Sequence, residues 1–92
     1  MRERGAAREL CQGTLQIGVG FYHLERGNYR GGMLCLERGL ARLRLVPAGC
    51  CAIDVGALLA DSELARRRIV ALGERWRELD PSWIPTIHAA AP

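Results

Sequence analysis

The side chains in this sequence with the clearest chemical potential are two glutamines and a histidine. Gln12, Gln16 and His23 fall within about 40° of one another on a helical wheel, where they form a polar strip beside Val19. The imidazole could ligate a metal or act as a general base. Buried polar residues are more commonly hydrogen-bonded contacts between helices. No second group orients His23, so we predict a candidate polar site without a catalytic residue, metal or cofactor.

Four cysteines are the other reactive groups, and they stand at Cys11, Cys35, Cys50 and Cys51. None of them has the Cys-x-x-Cys spacing that places two thiolates on one metal ion. Cys11 and Cys35 fall at apolar positions of predicted helices, where small buried thiols fit without a special role. The adjacent pair at 50 and 51 is therefore the one place where thiol redox chemistry is worth testing.

Arginine supplies all 13 basic residues, and the net charge is only +3. Basic and acidic residues are interspersed, which is typical of a solvated helix surface. Arg38 and Arg42 share a helix face, but the three consecutive arginines at 66–68 point about 100° apart and cannot form one patch. We expect no nucleic-acid binding.

The spacing of apolar residues predicts an all-α protein, a small antiparallel helical bundle of three main helices plus a short helical turn. The first helix should span residues 4–26, and Gly27 should end it. Its apolar residues recur at steps of three and four, at Leu10, Thr14, Ile17, Phe21 and Leu24. Three more residues widen this stripe, namely Cys11, Leu15 and Tyr22.

Asn28 can cap a second helix that runs to Leu45, antiparallel to the first because the turn between them is short. Glycines inside the helices weaken them unless neighbouring helices approach closely there. They stand at Gly13, Gly18, Gly20, Gly39 and Gly73.

After a connection that begins at Pro47, Asp54 should cap a short helical turn over residues 55–60. Asp61 or Ser62 should then begin the last long helix, which Pro81 stops. Composition is 49% hydrophobic and 25% charged over 92 residues. We therefore expect one helical domain over residues 1–92, with a C-terminal tail at 82–92.

Several short motifs resemble the domain of unknown function 309 family over roughly residues 8–72. They are Gln12-Gly13-Thr14-Leu15-Gln16, Phe21-Tyr22-His23, Arg26-Gly27-Asn28 with Gly31-Gly32, the leucines Leu36, Leu40 and Leu43, the break at Pro47, and Ile53-Asp54 ahead of Leu58-Leu59. The resemblance implies a small helical protein of unknown molecular function. It also implies an N-terminal hairpin with a His-Glu-x-x-x-Glu-like segment and a tryptophan. This sequence lacks that hairpin, so we expect a truncated gene, a misassigned start or a shortened relative.

The sequence leaves two functions open. The first is a non-catalytic interaction or self-assembly module; the alternative is a truncated metal-dependent enzyme in which His23 works with residues of the missing helix. If the missing hairpin covers the side of Ile17 and Phe21, that side is an exposed apolar patch, and a homo-oligomer or a protein partner is expected. Residues 1–10 lack the pattern of a secretory signal, and the apolar stretch at 45–60 is too short for a membrane span, so we expect a cytoplasmic protein.

Overall fold

The computed structural model describes residues 3–47 and 50–87, and within these ranges it contains helices and no β-strand. The all-α prediction is confirmed. The three long helices are α1 (Glu3–Glu25), α2 (Tyr29–Leu43) and α3 (Val55–Leu72). Three short 3-10 helices accompany them, at Cys50–Ala52, Gly73–Glu78 and Pro81–Trp83. Among the described residues, no helix has both the length and the apolar composition that crossing a membrane requires.

The turn between α1 and α2 forms for the reasons expected from the sequence. Gly27 has a φ of 86°, a left-handed conformation that glycine adopts without the clash of a Cβ atom. The Asn28 side-chain oxygen then accepts a hydrogen bond from the Gly31 amide at 3.0 Å, which satisfies a free donor in the first turn of α2. The turn therefore brings α2 back along α1.

Glycines on both helices allow α1 and α2 to pack backbone against backbone. A Cβ atom built on Gly20 would lie 2.9 Å from the Gly32 carbonyl oxygen, and one built on Gly39 would lie 2.9 Å from the Gly13 carbonyl oxygen. The earlier glycine of α1 meets the later glycine of α2, so the two helices run in opposite directions along this contact. Three of the predicted intrahelical glycines, at 13, 20 and 39, thus lie at a close helix contact.

The prediction of a short turn at 55–60 followed by a separate helix is wrong, because α3 is one helix from Val55 to Leu72. Its first turn is capped by Asp54, whose Oδ1 accepts a hydrogen bond from the Ala57 amide at 2.9 Å. Ser62, expected as a helix start, is fully buried in the middle of α3. Its hydroxyl has no hydrogen-bond partner among the described residues.

The continuity of α3 has a simple physical reason. Leu58, Ser62, Ala65 and Ile69 are all buried and recur at steps of four, three and four, so one helical face packs on the core without interruption. The helix ends at Gly73, with a φ of 57°, rather than at the predicted Pro81.

The packed core lies between α2 and the facing sides of α1 and α3. Leu36 and Leu43 of α2 are fully buried there. Two ion pairs border the contact between α2 and α3: Arg44 with Glu63 at 2.9 Å, and Arg66 with Glu37 at 2.8 Å. The earlier residue on the α2 side, Glu37, pairs with the later residue of α3, Arg66, and the later residue, Arg44, pairs with the earlier one, Glu63. The two helices therefore run in opposite directions.

The segment after α3 folds back on the core. Trp76, Leu79 and Trp83 are half-buried and pack against it, so the start of the predicted tail does pack back. Asp80 accepts hydrogen bonds from Ser82, and these bonds lower the pKa of its carboxyl group. The rest of the predicted tail, residues 88–92, lies outside the described residues.

Candidate functional site

The predicted polar strip lies on one continuous helix, because α1 spans Gln12, Gln16 and His23. Gln12 is exposed, whereas Gln16 and His23 are half-buried. No described hydrogen bond joins any two of these side chains. The three residues therefore share a face of α1 without forming a connected cluster, and their role as a polar site stays a prediction.

Gln16 lines an open groove of about 530 Å³ along the border between α1 and α2. Glu9 and Arg42 close one part of this groove with an ion pair of 3.1 Å. Arg38 also lines it, beside Leu45, and forms no ion pair with a described carboxylate. Arg38 and Arg42 thus share a face as predicted, but Glu9 neutralises one of them, so no strong positive patch results.

His23 lies in the last turn of α1, where its ring meets the Tyr22 ring with 6.1 Å between centroids. Within residues 3–47 and 50–87, no group of three or more histidine, cysteine, aspartate or glutamate side chains could hold a metal ion. The described residues supply no group of metal ligands around His23, so the metal-dependent alternative stays a prediction.

A second cleft, of about 570 Å³, lies where the C-terminal end of α1 meets the segment after α3. Its lining includes the buried Phe21 and Leu24 together with the exposed Arg26 and Arg77. The sequence alone did not indicate this cleft. It depends on the backward turn at Gly73, which no local pattern of apolar residues indicated.

The prediction of an exposed apolar patch at Ile17 and Phe21 is wrong. These side chains are only 5% and 7% exposed, because the side of α1 that carries them faces the core. Leu15 and Tyr22, placed by the sequence in the same apolar stripe, are 65% and 55% exposed. The large exposed apolar residues of α1 therefore lie on another face of the helix.

This other face, the outer face of α1, consists of Cys11, Leu15, Gly18 and Tyr22. These residues are all exposed and recur at steps of four, three and four, so they lie within about 60° of one another. A Cβ atom built on Gly18 would meet nothing within 4 Å. These four side chains carry no charge and no described helix packs on them, but the Arg26 guanidinium lies over the Tyr22 ring, 5.8 Å from its centroid.

The cysteines differ from the expectation in one respect. Cys11 is exposed on the outer face rather than buried, whereas Cys35 is half-buried. Cys50 and Cys51 form a pair in the connection between α2 and α3, with 3.1 Å between their Sγ atoms.

The N-terminal part of the chain is similar to a known family. Residues 1–34 match the family model described as domain of unknown function (DUF309). The match comprises α1, the turn at Asn28 and the start of α2, which is less than half of the 92 residues. The resemblance expected from the sequence is confirmed over this segment, and over 35–72 it stays a prediction. No curated protein and no solved structure matches the chain.

The DUF309 match contains both the polar strip and the outer face of α1, but it ends before the pair Cys50–Cys51. The description of DUF309 names no activity. Any function must therefore be inferred from the surfaces of the chain, one of which is the outer face of α1. The exposed Leu34 of α2 and the exposed Leu45, two residues after its end, have Arg38 between them in the chain.

Proposed function

We propose that this chain is a non-catalytic interaction module whose outer face of α1 binds a second copy of the chain. The observation that carries the proposal is the exposure of Leu15 and Tyr22, 65% and 55%, on one face of one helix. Exposed apolar residues that share one face commonly mark an interaction surface. We also propose that the chain is located in the cytoplasm.

The residue pattern of the outer face suits close helix packing. Gly18 lies between Leu15 and Tyr22, so another helix could approach the backbone of α1 there. The opposite side of α1 already packs in this way, because Gly13 and Gly20 receive α2 at backbone contact. Small residues flanked by large ones form a groove that holds a neighbouring helix.

A second copy is the favoured occupant because the outer face is complementary to itself. When two α1 helices pair in opposite directions about a two-fold axis, Leu15 lies opposite Gly18 and Cys11 lies opposite Tyr22. Both pairs share the same midpoint along the helix, so all four contacts form at once in the dimer. Each places a large side chain against a small one, which is how interfaces between helices fill space.

The experiment is light scattering coupled to size-exclusion chromatography. We expect the wild-type chain to elute with twice the monomer mass, and Leu15→Asp to elute with the monomer mass because it buries an unpaired charge in the dimer. Val70→Asp is the matched control, since Val70 is 48% exposed on α3 and lies outside the proposed interface. It should remain dimeric.

Circular dichroism on all three proteins checks that the helices persist. We expect them to persist because both substituted residues are exposed. A wild-type chain that is monomeric at every accessible concentration contradicts the proposal. So does a Leu15→Asp variant that remains dimeric, because another surface must then hold the two copies together.

A further inference from the structure

The connection between α2 and α3 holds two neighbouring thiols in unusual proximity. The Sγ atoms of Cys50 and Cys51 are 3.1 Å apart. In an extended chain, successive side chains point to opposite sides and their ends diverge. A disulfide bond has a sulfur separation of about 2.05 Å, so the two sulfur atoms need to approach by only about 1 Å to bond.

The backbone of this turn accounts for the proximity. Cys51 and Ala52 both have a φ of 58°, and they are the only non-glycine residues with positive φ in the described chain. Side chains other than glycine rarely adopt this left-handed conformation, and two in succession need support from their surroundings. The half-buried Cys50 and Ile53 pack against the core on either side of these residues and hold the turn in place.

We propose that Cys50 and Cys51 are a dithiol modification site, which a low-molecular-weight disulfide such as glutathione disulfide oxidises to a disulfide between adjacent residues. The exposed Cys51 thiolate attacks one sulfur of the small disulfide, forms a mixed disulfide and releases one small thiolate. The half-buried Cys50, after losing its proton to solvent, attacks the Cys51 sulfur and releases the second small thiolate. The protein loses two protons and two electrons, and the small disulfide is reduced to two thiols.

The bond formed in this way is readily reversed. Adjacent Cα atoms are about 3.8 Å apart across a trans peptide, whereas ordinary disulfides join Cα atoms that are about 4.4 to 6.8 Å apart. The eight-membered ring is therefore strained, and strained, accessible disulfides are the labile ones. The pair suits a reversible modification rather than a permanent crosslink.

The experiment uses the full chain with Cys11→Ser and Cys35→Ser, which leaves the pair as its only thiols. After incubation with glutathione disulfide, we expect titratable thiols to fall from two to none, and intact mass to show the loss of two hydrogen atoms with no glutathione retained. Dithiothreitol should restore both thiols. A non-reducing gel must show no dimer linked by a disulfide.

Two matched variants locate the chemistry. Adding Cys50→Ser to this background should trap one glutathione on Cys51, because the resolving thiol is gone. The opposite variant, Cys50→Ser with Cys51→Ser in the otherwise natural chain, should form no intramolecular disulfide through Cys11 and Cys35. The proposal is overturned if the pair stays reduced, or if both cysteines retain glutathione and no ring closes.

Discussion

The inner and outer faces of α1 are built from similar residues, but they differ in what covers them. The inner face carries Gly13 and Gly20 between large apolar residues, and α2 packs on it at backbone contact. The outer face carries Gly18 between Leu15 and Tyr22, and no described element covers it. A glycine within a helix can thus lie at a contact between two helices or on a surface that no helix covers, and only the three-dimensional surroundings distinguish the two.

The largest effect should come from filling the inner face. Gly20→Ala places a Cβ atom 2.9 Å from the Gly32 carbonyl oxygen and 3.0 Å from the Leu36 Cγ atom. Overpacking of this kind costs about 1 to 3 kcal/mol, which exceeds the gain in helix propensity of up to about 1 kcal/mol. We expect the free energy of unfolding to fall by about 1 to 2 kcal/mol in urea denaturation monitored by circular dichroism. Unchanged stability would show that the helices do not approach as closely as the contact distances indicate.

The same substitution on the outer face should have the opposite sign. Gly18→Ala adds a Cβ atom that meets nothing within 4 Å, so only the helix propensity changes. We expect the free energy of unfolding to rise by about 0.5 to 1 kcal/mol when measured on the Leu15→Asp background, which removes the proposed dimer contact. A loss of stability there would mean that Gly18 is covered, and the distinction between the two faces would fail.

The smallest effect should come from the border of the inner face, where Glu9 pairs with Arg42. The Glu9 side chain is 22% exposed, so Glu9→Gln should lower the free energy of unfolding by up to about 1 kcal/mol, and by less at high salt. Glu78→Gln is the matched control, since its pair with Arg75 is 62% and 72% exposed and should contribute nothing measurable. Equal effects for the two variants would show that the ion pair of Glu9 with Arg42 does not help to hold α2 on α1.

Local patterns in the sequence were sufficient for much of the fold. They predicted the all-α class, the turn at Gly27 and the caps at Asn28 and Asp54, because each of these depends on residues close together in the chain. They failed at Ser62, which resembles a helix start by residue type but lies buried within α3. Its burial depends on how α3 packs on the rest of the chain, and that information is not local.

The candidate sites, too, could be predicted from the sequence only where they depend on local patterns. The apolar residues of α1 extend so far around the helix that a wheel places Leu15 and Tyr22 in the same stripe as Ile17 and Phe21. Which part of this stripe meets α2 depends on the close contacts of the glycines, and these appear only when both helices are in place. The proximity of two adjacent thiols could be suspected from their positions, but the turn that brings their sulfur atoms together could not.

The location of the proposed contact can be observed residue by residue. Isotope-filtered NMR on a mixture of labelled and unlabelled wild-type chains should show nuclear Overhauser effects between copies at Leu15, Gly18 and Tyr22, and none at the inner glycines Gly13 and Gly20. Such a pattern would place a second copy on the outer face of α1. The absence of such effects between copies, or effects that cluster on α3 instead, would contradict the proposed dimer.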